Sequence, residues 1–205
     1  MVIYWKEKER VFGPQKTYRC LTVNDLEEED VEVIRAGGFF PLPEKDEKGR
    51  GIIFSDRTKW NNCKYVMNRV AFYAVHCLLE DIEIQRRGIV ILTAFPSLFA
   101  FENYDRKVSN RMTWALRQVL PVHIVGVHLV GSSPVLPLIM PYALYAMGPR
   151  MRTKLRVHGG SGKEVVSSLH EYGIHSSAIP RALGGSLQVE MSEWIELRRE
   201  KESLL

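Results

Sequence analysis

Apolar positions along this chain alternate between two rhythms, and the alternation predicts the elements. Between Asn61 and Ile84, Val66, Val70, Tyr73, Ala74, Cys77 and Ile84 recur at steps of three or four, which predicts a long amphipathic helix. The run Gly88–Ala94 that follows is continuously apolar and β-branched, the mark of a strand buried on both faces. A second helical rhythm over 105–119 turns Val108, Met112, Ala115, Leu116 and Val119 to one side, and Pro121 ends it before another apolar strand over 123–130. Further helices are predicted over 134–147, 164–172 and 192–202, with a strand over 155–158. Upstream, Asn24 or Asp25 can cap a helix over 26–36 whose first turn is acidic and which Gly37-Gly38 stops. The apolar FFPLP, the charged turn KDEKGRG and a strand over 52–54 then read as a hairpin. Helices alternating with apolar strands predict an α/β fold on a largely parallel sheet.

The stretch from Pro134 to His158 changes character halfway. PVLPLIMPYALYAMG carries no charge, whereas PRMRTKLRVHG places Arg150, Arg152, Lys154 and Arg156 at every second position. An oily segment joined to a cationic one suits a surface that meets acyl chains and anionic headgroups. A buried helix followed by an edge strand with a solvated basic face gives the same pattern, and periodicity alone leaves both open. From Gln118 to Pro149 there is no Asp, Glu, Lys or Arg, yet Pro121, Gly126, Gly131, Ser132, Ser133, Pro134, Pro137 and Pro141 interrupt the run repeatedly. It reads as a strand and a helix within a fold, not as a membrane span of ~20 residues.

With 205 residues, 45% hydrophobic and 25% charged, the chain has the composition of a globular domain, and its net charge of +4 with no aromatic-interleaved basic cluster argues against nucleic acid as a partner. Cys20, Cys63 and Cys77 lack paired spacing, as reduced thiols would, and the charged start MVIYWKEKER has no apolar signal region, so a cytoplasmic location is expected.

No catalytic constellation assembles. Cys63 and Arg69 have the spacing of cysteine phosphatases, but KYVMN between them is helical and lacks the glycine-containing phosphate loop. Gly159-Gly160-Ser161-Gly162-Lys163 lacks the earlier glycine and following hydroxyl of a Walker loop. His123 and His128 stand five apart on a strand and face opposite ways; Ser132-Ser133 has no nucleophile elbow. Neither an enzyme nor a metal site is expected.

Several strings, in order, resemble the CRAL-TRIO lipid-binding domain: LPEKDEKGRGIIF (42–54), LLEDIEIQRRGIVIL (78–92), LPVHIVGVHLV (120–130), KLRVHGG (154–160) and IPRALGGSL (179–187). The resemblance implies a short helical lead-in over 1–36, a lipid-binding domain over 37–187 and a C-terminal helix over 188–205. It implies a five-stranded, mixed but largely parallel sheet as the floor of an apolar cavity, with flanking helices and the helix 134–147 as a movable gate. By position, the family's cavity-lining sites fall on Ala71, Val75, Ile89, Leu98, Met112, Ala115, Leu116, Leu120, Val122, Ile124 and Val127, with Leu136, Ile139, Met140 and Ala143 on the gate. All are apolar, as a hydrophobic ligand requires and as a plain core would also have it.

In the tocopherol-transfer and retinaldehyde-binding branch, which the chain resembles more than the phosphatidylinositol-transfer branch, a basic pair after the gate matches Arg150 and Lys154. Arg152 and Arg156 extend that patch. His123 and Val125 stand where that branch has two further basic residues, Val122 where the phosphatidylinositol carriers have a glutamate, and Leu144 where many gates have a lysine. The implied partners are a non-covalent hydrophobic lipid, with no other cofactor, and an anionic membrane surface that includes phosphoinositides; a monomer is expected. The implied function is lipid transfer with transient membrane association. Lipid sensing on behalf of a protein partner and phospholipid transfer are the alternatives.

Overall fold

The computed structural model describes residues 2–60 and 66–204. Five strands form one sheet in the order β1 (Phe39–Pro41), β2 (Gly51–Asp56), β3 (Ile89–Phe95), β4 (Ile124–Gly131) and β5 (Leu155–His158). β1 runs antiparallel to β2, with Phe40 opposite Phe54, and the other neighbours are parallel. The expected α/β class and hairpin are therefore present. The hairpin turn is held by Asp46, whose Oδ1 accepts from the backbone N–H groups of Lys48 and Arg50 at 3.0 and 2.9 Å. β2 and β3 are buried along their full length, as continuously apolar parallel strands must be. β5 is the edge, with Arg156 and Val157 exposed.

Eight helices accompany the sheet among the described residues: α1 (Val2–Phe12), α2 (Glu28–Arg35), α3 (Val66–Leu79), α4 (Ile82–Arg87), α5 (Arg106–Trp114), α6 (Leu136–Arg152), α7 (Gly162–His170) and α8 (Met191–Glu202). Several depart from the sequence expectation: α2 opens at Glu28 with Glu27 as its N-cap, because Asn24 and Asp25 lie in a separate 3-10 turn, and α6 runs on to Arg152. The helix expected over 61–84 is two helices, because Asp81 turns its carboxylate onto the N–H groups of Glu83 and Ile84 and so caps a new start. The expected beginning of that helix, including Cys63, lies outside the described residues. The helix expected over 105–119 ends as α-helix at Trp114 and continues as one π-turn, Ala115–Val119. Gly88, which follows α4, sits at φ 86°, and a Cβ there would lie 2.3 Å from the carbonyl oxygen of His123. Only glycine lets the chain enter β3 so close to β4.

The lead-in and the tail both dock on α3. Tyr4 stacks on Phe72 and hydrogen-bonds His76 at 2.6 Å. From α8, Ile195 is buried and Trp194 meets Tyr73 edge-on, while Leu197 stays exposed. Arg198 then forks onto Glu80 and Glu202, and Glu202 also accepts from Tyr73 Oη at 2.8 Å and from the N–H of Val23 at 2.6 Å. Cys77, Glu80 and Glu202 lie close enough together to suggest a cation site. The Arg198 guanidinium already supplies that cation, and burial pushes the Cys77 thiol up to about 12, so it is no thiolate ligand.

Glu202→Ala leaves a buried N–H and part of a buried guanidinium without acceptors. It is expected to lower unfolding stability by about 3 kcal/mol in a denaturant titration, against under about 1 kcal/mol for the exposed Glu196→Ala. Equal midpoints for the two variants would remove this network from the forces holding the tail.

Candidate functional site

β3 and β4 turn alternate side chains to one face of the sheet, and α5 and α6 cover that face. Between them lies a cavity of about 120 Å³, floored by Ile91, Thr93, Phe95, Val127 and Leu129 and roofed by Met112, Leu116, Ile139, Ala143, Met147 and Met151. The space is smaller than a cavity of ~150 Å³ that accepts benzene, so a whole lipid enters only if the roof moves. Three of the roof residues are methionines, whose unbranched, flexible side chains yield space at low cost.

The roof helix is apolar on both sides. Leu136 and Ile139 are buried, whereas Leu138, Tyr142 and Tyr145 face solvent, Tyr145 at 79% exposure. Its geometry is interrupted at Gly148, where φ is 68° and Pro149 restarts the chain. The carbonyls that lose partners there are taken by cations: Arg117 Nη1 donates to Ala146 O and Arg152 Nε to Leu144 O, each at 2.6 Å. Arg106 lies 4.9 Å from the Tyr142 ring centroid, a second tie between α5 and α6. The roof is thus fastened by polar contacts at its far end and by Leu136 and Ile139 at its near end.

The sequence-predicted lining residues separate into groups. Met112, Leu116, Val127, Ile139 and Ala143 border the cavity. Ala71, Val75, Ile89, Ala115, Leu120, Ile124 and Leu136 are buried in the surrounding core, and Val122 and Met140 are half-buried beside it. Leu98 is 85% exposed, because β3 ends at Phe95 and the Pro96–Phe99 turn aims it outward. Sequence reasoning passed over Ser55, Arg57, Trp60, Thr93, Tyr104, Met147 and Met151, all of which border the cavity. Trp60 and Tyr104 carry the aromatic signal that finds them; Ser55 and Arg57 sit in a polar string that reads as a turn.

The four basic residues do not form one row. Arg150 and Arg152 lie on the last turn of α6, Lys154 in the turn after it, and only Arg156 in β5, because Pro149 continues helix where alternation suggested strand. Lys154 Nζ donates to the Ile124 carbonyl at 2.5 Å. Burial, then neighbouring Arg150, holds its amine below the usual lysine value. Lys154 and Arg156 border a polar recess of about 210 Å³ with Lys48, Arg50, His128 and Tyr172. Gly126 and His128 line this recess while Val127 and Leu129 line the cavity, so the two spaces are on opposite faces of the sheet.

The motifs that suggest catalysis are occupied structurally. Arg69 is paired with buried Asp30. Ser161 and Glu164 form a reciprocal cap on α7, and Ser133 Oγ donates to Phe99 O at 2.7 Å. His128 Nδ1 and His158 Nε2 are hydrogen-bonded at 2.9 Å, and His158 Nδ1 meets Ser168 Oγ at 2.7 Å.

No protein-family model and no curated protein sequence matches the chain. Among solved structures, the crystal structure of Sfh5, a Sec14-family protein, matches with a TM-score of 0.57 at 12% identity, over 95% of this chain and 72% of that one. The fold is CRAL-TRIO-like. The five-stranded, mostly parallel sheet with helices over it is the shared architecture. No helix among the described residues is long and apolar enough to cross a membrane.

Burial, then the charges of His158, Arg50 and Arg156, pushes His128 down to about 4, and burial lowers His158 as well. A base whose pKa falls on folding stays neutral in the native state while the unfolded chain takes up protons, so stability is complete above the ordinary value of 6.5 and lost as the pH falls toward 4. Between pH 7 and pH 5 the protein should lose roughly 2 kcal/mol that His128→Gln does not lose. Parallel pH profiles of the two proteins by denaturant titration would contradict this.

Proposed function

We propose that the protein binds a hydrophobic lipid in the cavity beneath α6 and carries it between membranes, with α6 as the gate and the adjacent cations as the membrane-docking patch. The observation that supports this reading best is the helix itself. A helix apolar all round is normally buried on every side or immersed in lipid, and α6 in the closed form is neither. Its outward Leu138, Tyr142 and Tyr145 suit the acyl–headgroup boundary, and Arg150 and Arg152 lie on the last turn of the same helix, with Arg156 on the edge strand that follows. A lifted α6 would lay both apolar sides in the bilayer while the cavity opens below it.

A cargo burying ~400 Å² gains about 10 kcal/mol gross, so escape through water is slow and exchange requires the membrane. Retinoid-, tocopherol-, sterol- or squalene-like molecules suit the apolar floor, in line with the tocopherol-transfer and retinaldehyde-binding branch. Phosphoinositide contact belongs to the recess bordered by Lys48, Arg50, Lys154 and Arg156, on the far face from the cargo.

Organic extraction of the purified protein followed by lipid mass spectrometry tests the reading: a stoichiometric lipid, or uptake of one from vesicles, is expected. A protein that neither arrives with lipid nor accepts any would leave the interaction-domain alternative. In vesicle-to-vesicle transfer with anionic acceptors, Arg150→Ala with Arg156→Ala should slow transfer roughly ten-fold, since each near-surface cation contributes ~1 kcal/mol. Cargo affinity should stay within about two-fold, because neither side chain borders the cavity; matched losses would defeat this division of roles.

A further inference from the structure

The cavity is not apolar throughout. Arg57, the residue after β2, borders it at 8% exposure. Its guanidinium lies 3.7 Å from the ring centroid of Trp60, which is itself fixed by donating to Gly38 O at 3.0 Å. Nη2 donates to Ser109 Oγ at 3.1 Å, but Nε has no acceptor. Among the described residues no carboxylate comes within ion-pair distance of Arg57, although Tyr104 and Asp105 act on it from α5 and its approach. Burial pushes it down only to about 10, so it remains a cation at neutral pH.

Ser55 stands two residues earlier on the same face of β2. It is 1% exposed, borders the same cavity, and its Oγ also lacks a partner. Thr93, its neighbour in register on β3, adds a third polar side chain. Buried donors without acceptors are costly to leave unmade, and a buried cation with no carboxylate at ion-pair distance among the described residues more so. Here they line one cavity, with the Trp60 ring packed against the guanidinium.

We propose that this end of the cavity receives the head of the cargo, and that the head is a compact anion, a carboxylate or a phosphate monoester, on a single apolar chain. The guanidinium fork matches both anions in shape, and Ser55 and Thr93 supply neutral donors beside it. Orientation follows from topology. Arg57 succeeds the C-terminal end of β2, whereas Met147 and Met151 precede the N-terminal end of β5, and β2 through β5 run parallel. The chain of the cargo therefore extends from Arg57 toward the yielding methionines, and the head enters first. This rests on the lipid-carrier reading and narrows it: a single-chain anion takes the place of the neutral molecules that the apolar part of the lining alone would suit, and its direction is fixed.

Four ligands with one hydrocarbon chain test it: oleate, oleyl phosphate, methyl oleate and oleyl alcohol, titrated below their aggregation limits. The wild-type protein should bind one or both anions at least about ten-fold tighter than the neutral pair. The tighter of the two anions identifies carboxylate or phosphate as the head. Arg57→Met should abolish the preference while methyl oleate binds as before, and Ser55→Ala, which leaves the cation in place, should reduce it. Unchanged thermal unfolding of each variant certifies the fold. Equal wild-type affinity for all four ligands, or a preference that survives Arg57→Met, overturns the assignment of the head but leaves the carrier reading standing. Binding of none of the four overturns both.

Discussion

A helix with no hydrophilic side has to be held down by something other than the usual division between core and solvent. That constraint governs α6. Its inner residues Leu136 and Ile139 are buried, but Leu138, Tyr142 and Tyr145 stay in water and add little to its hold on the domain. Besides Leu136 and Ile139, what keeps it in place is a small number of directional contacts: the arginines that take the carbonyls of Leu144 and Ala146 near the break, and the Arg106–Tyr142 stack in mid-helix. Directional polar contacts at a surface are weakened by competing water and by competing anions alike. In the proposed carrier, a bilayer would offer phosphate to the arginines and hydrocarbon to the tyrosines and leucine at the same moment.

The opposite face of the sheet is built for permanence. There the His128–His158–Ser168 hydrogen-bonded chain packs against the ring of Tyr172, and burial keeps both histidines from taking up protons readily. The tail is fastened by charge-assisted bonds from Arg198 and Glu202. The molecule thus keeps its adaptable side chains, the methionines, under α6 and its rigid polar networks elsewhere.

The α/β class and the hairpin were legible because β3 and its neighbours are uninterrupted apolar runs bounded by glycine and proline, a signal that survives any tertiary context. The break at Asp81 was not, although its cap was in plain view, because the apolar period runs through Ile84 without a change of phase. Alternation misled at Arg150–Arg156, where proline and glycine mix helix, turn and strand within seven residues. At the cavity, periodicity distinguishes inside from outside but not hollow from filled: Ala71 and Met112 both fall on inward faces, and only the packing of α5 separates core from wall. Arg57 was invisible for a different reason. Its string SDRTKW has the composition of a solvated turn, and nothing local reveals that Trp60 and the start of α5 fold over it.

Glu202 grips the backbone of Val23, and through it two segments far apart in the chain close on one another across α3. The lead-in and the tail therefore share a single clasp. A protease that nicks α8 would release not only the end it cut but also the strap over Tyr73, so that damage at one extremity travels to the other without passing through the sheet.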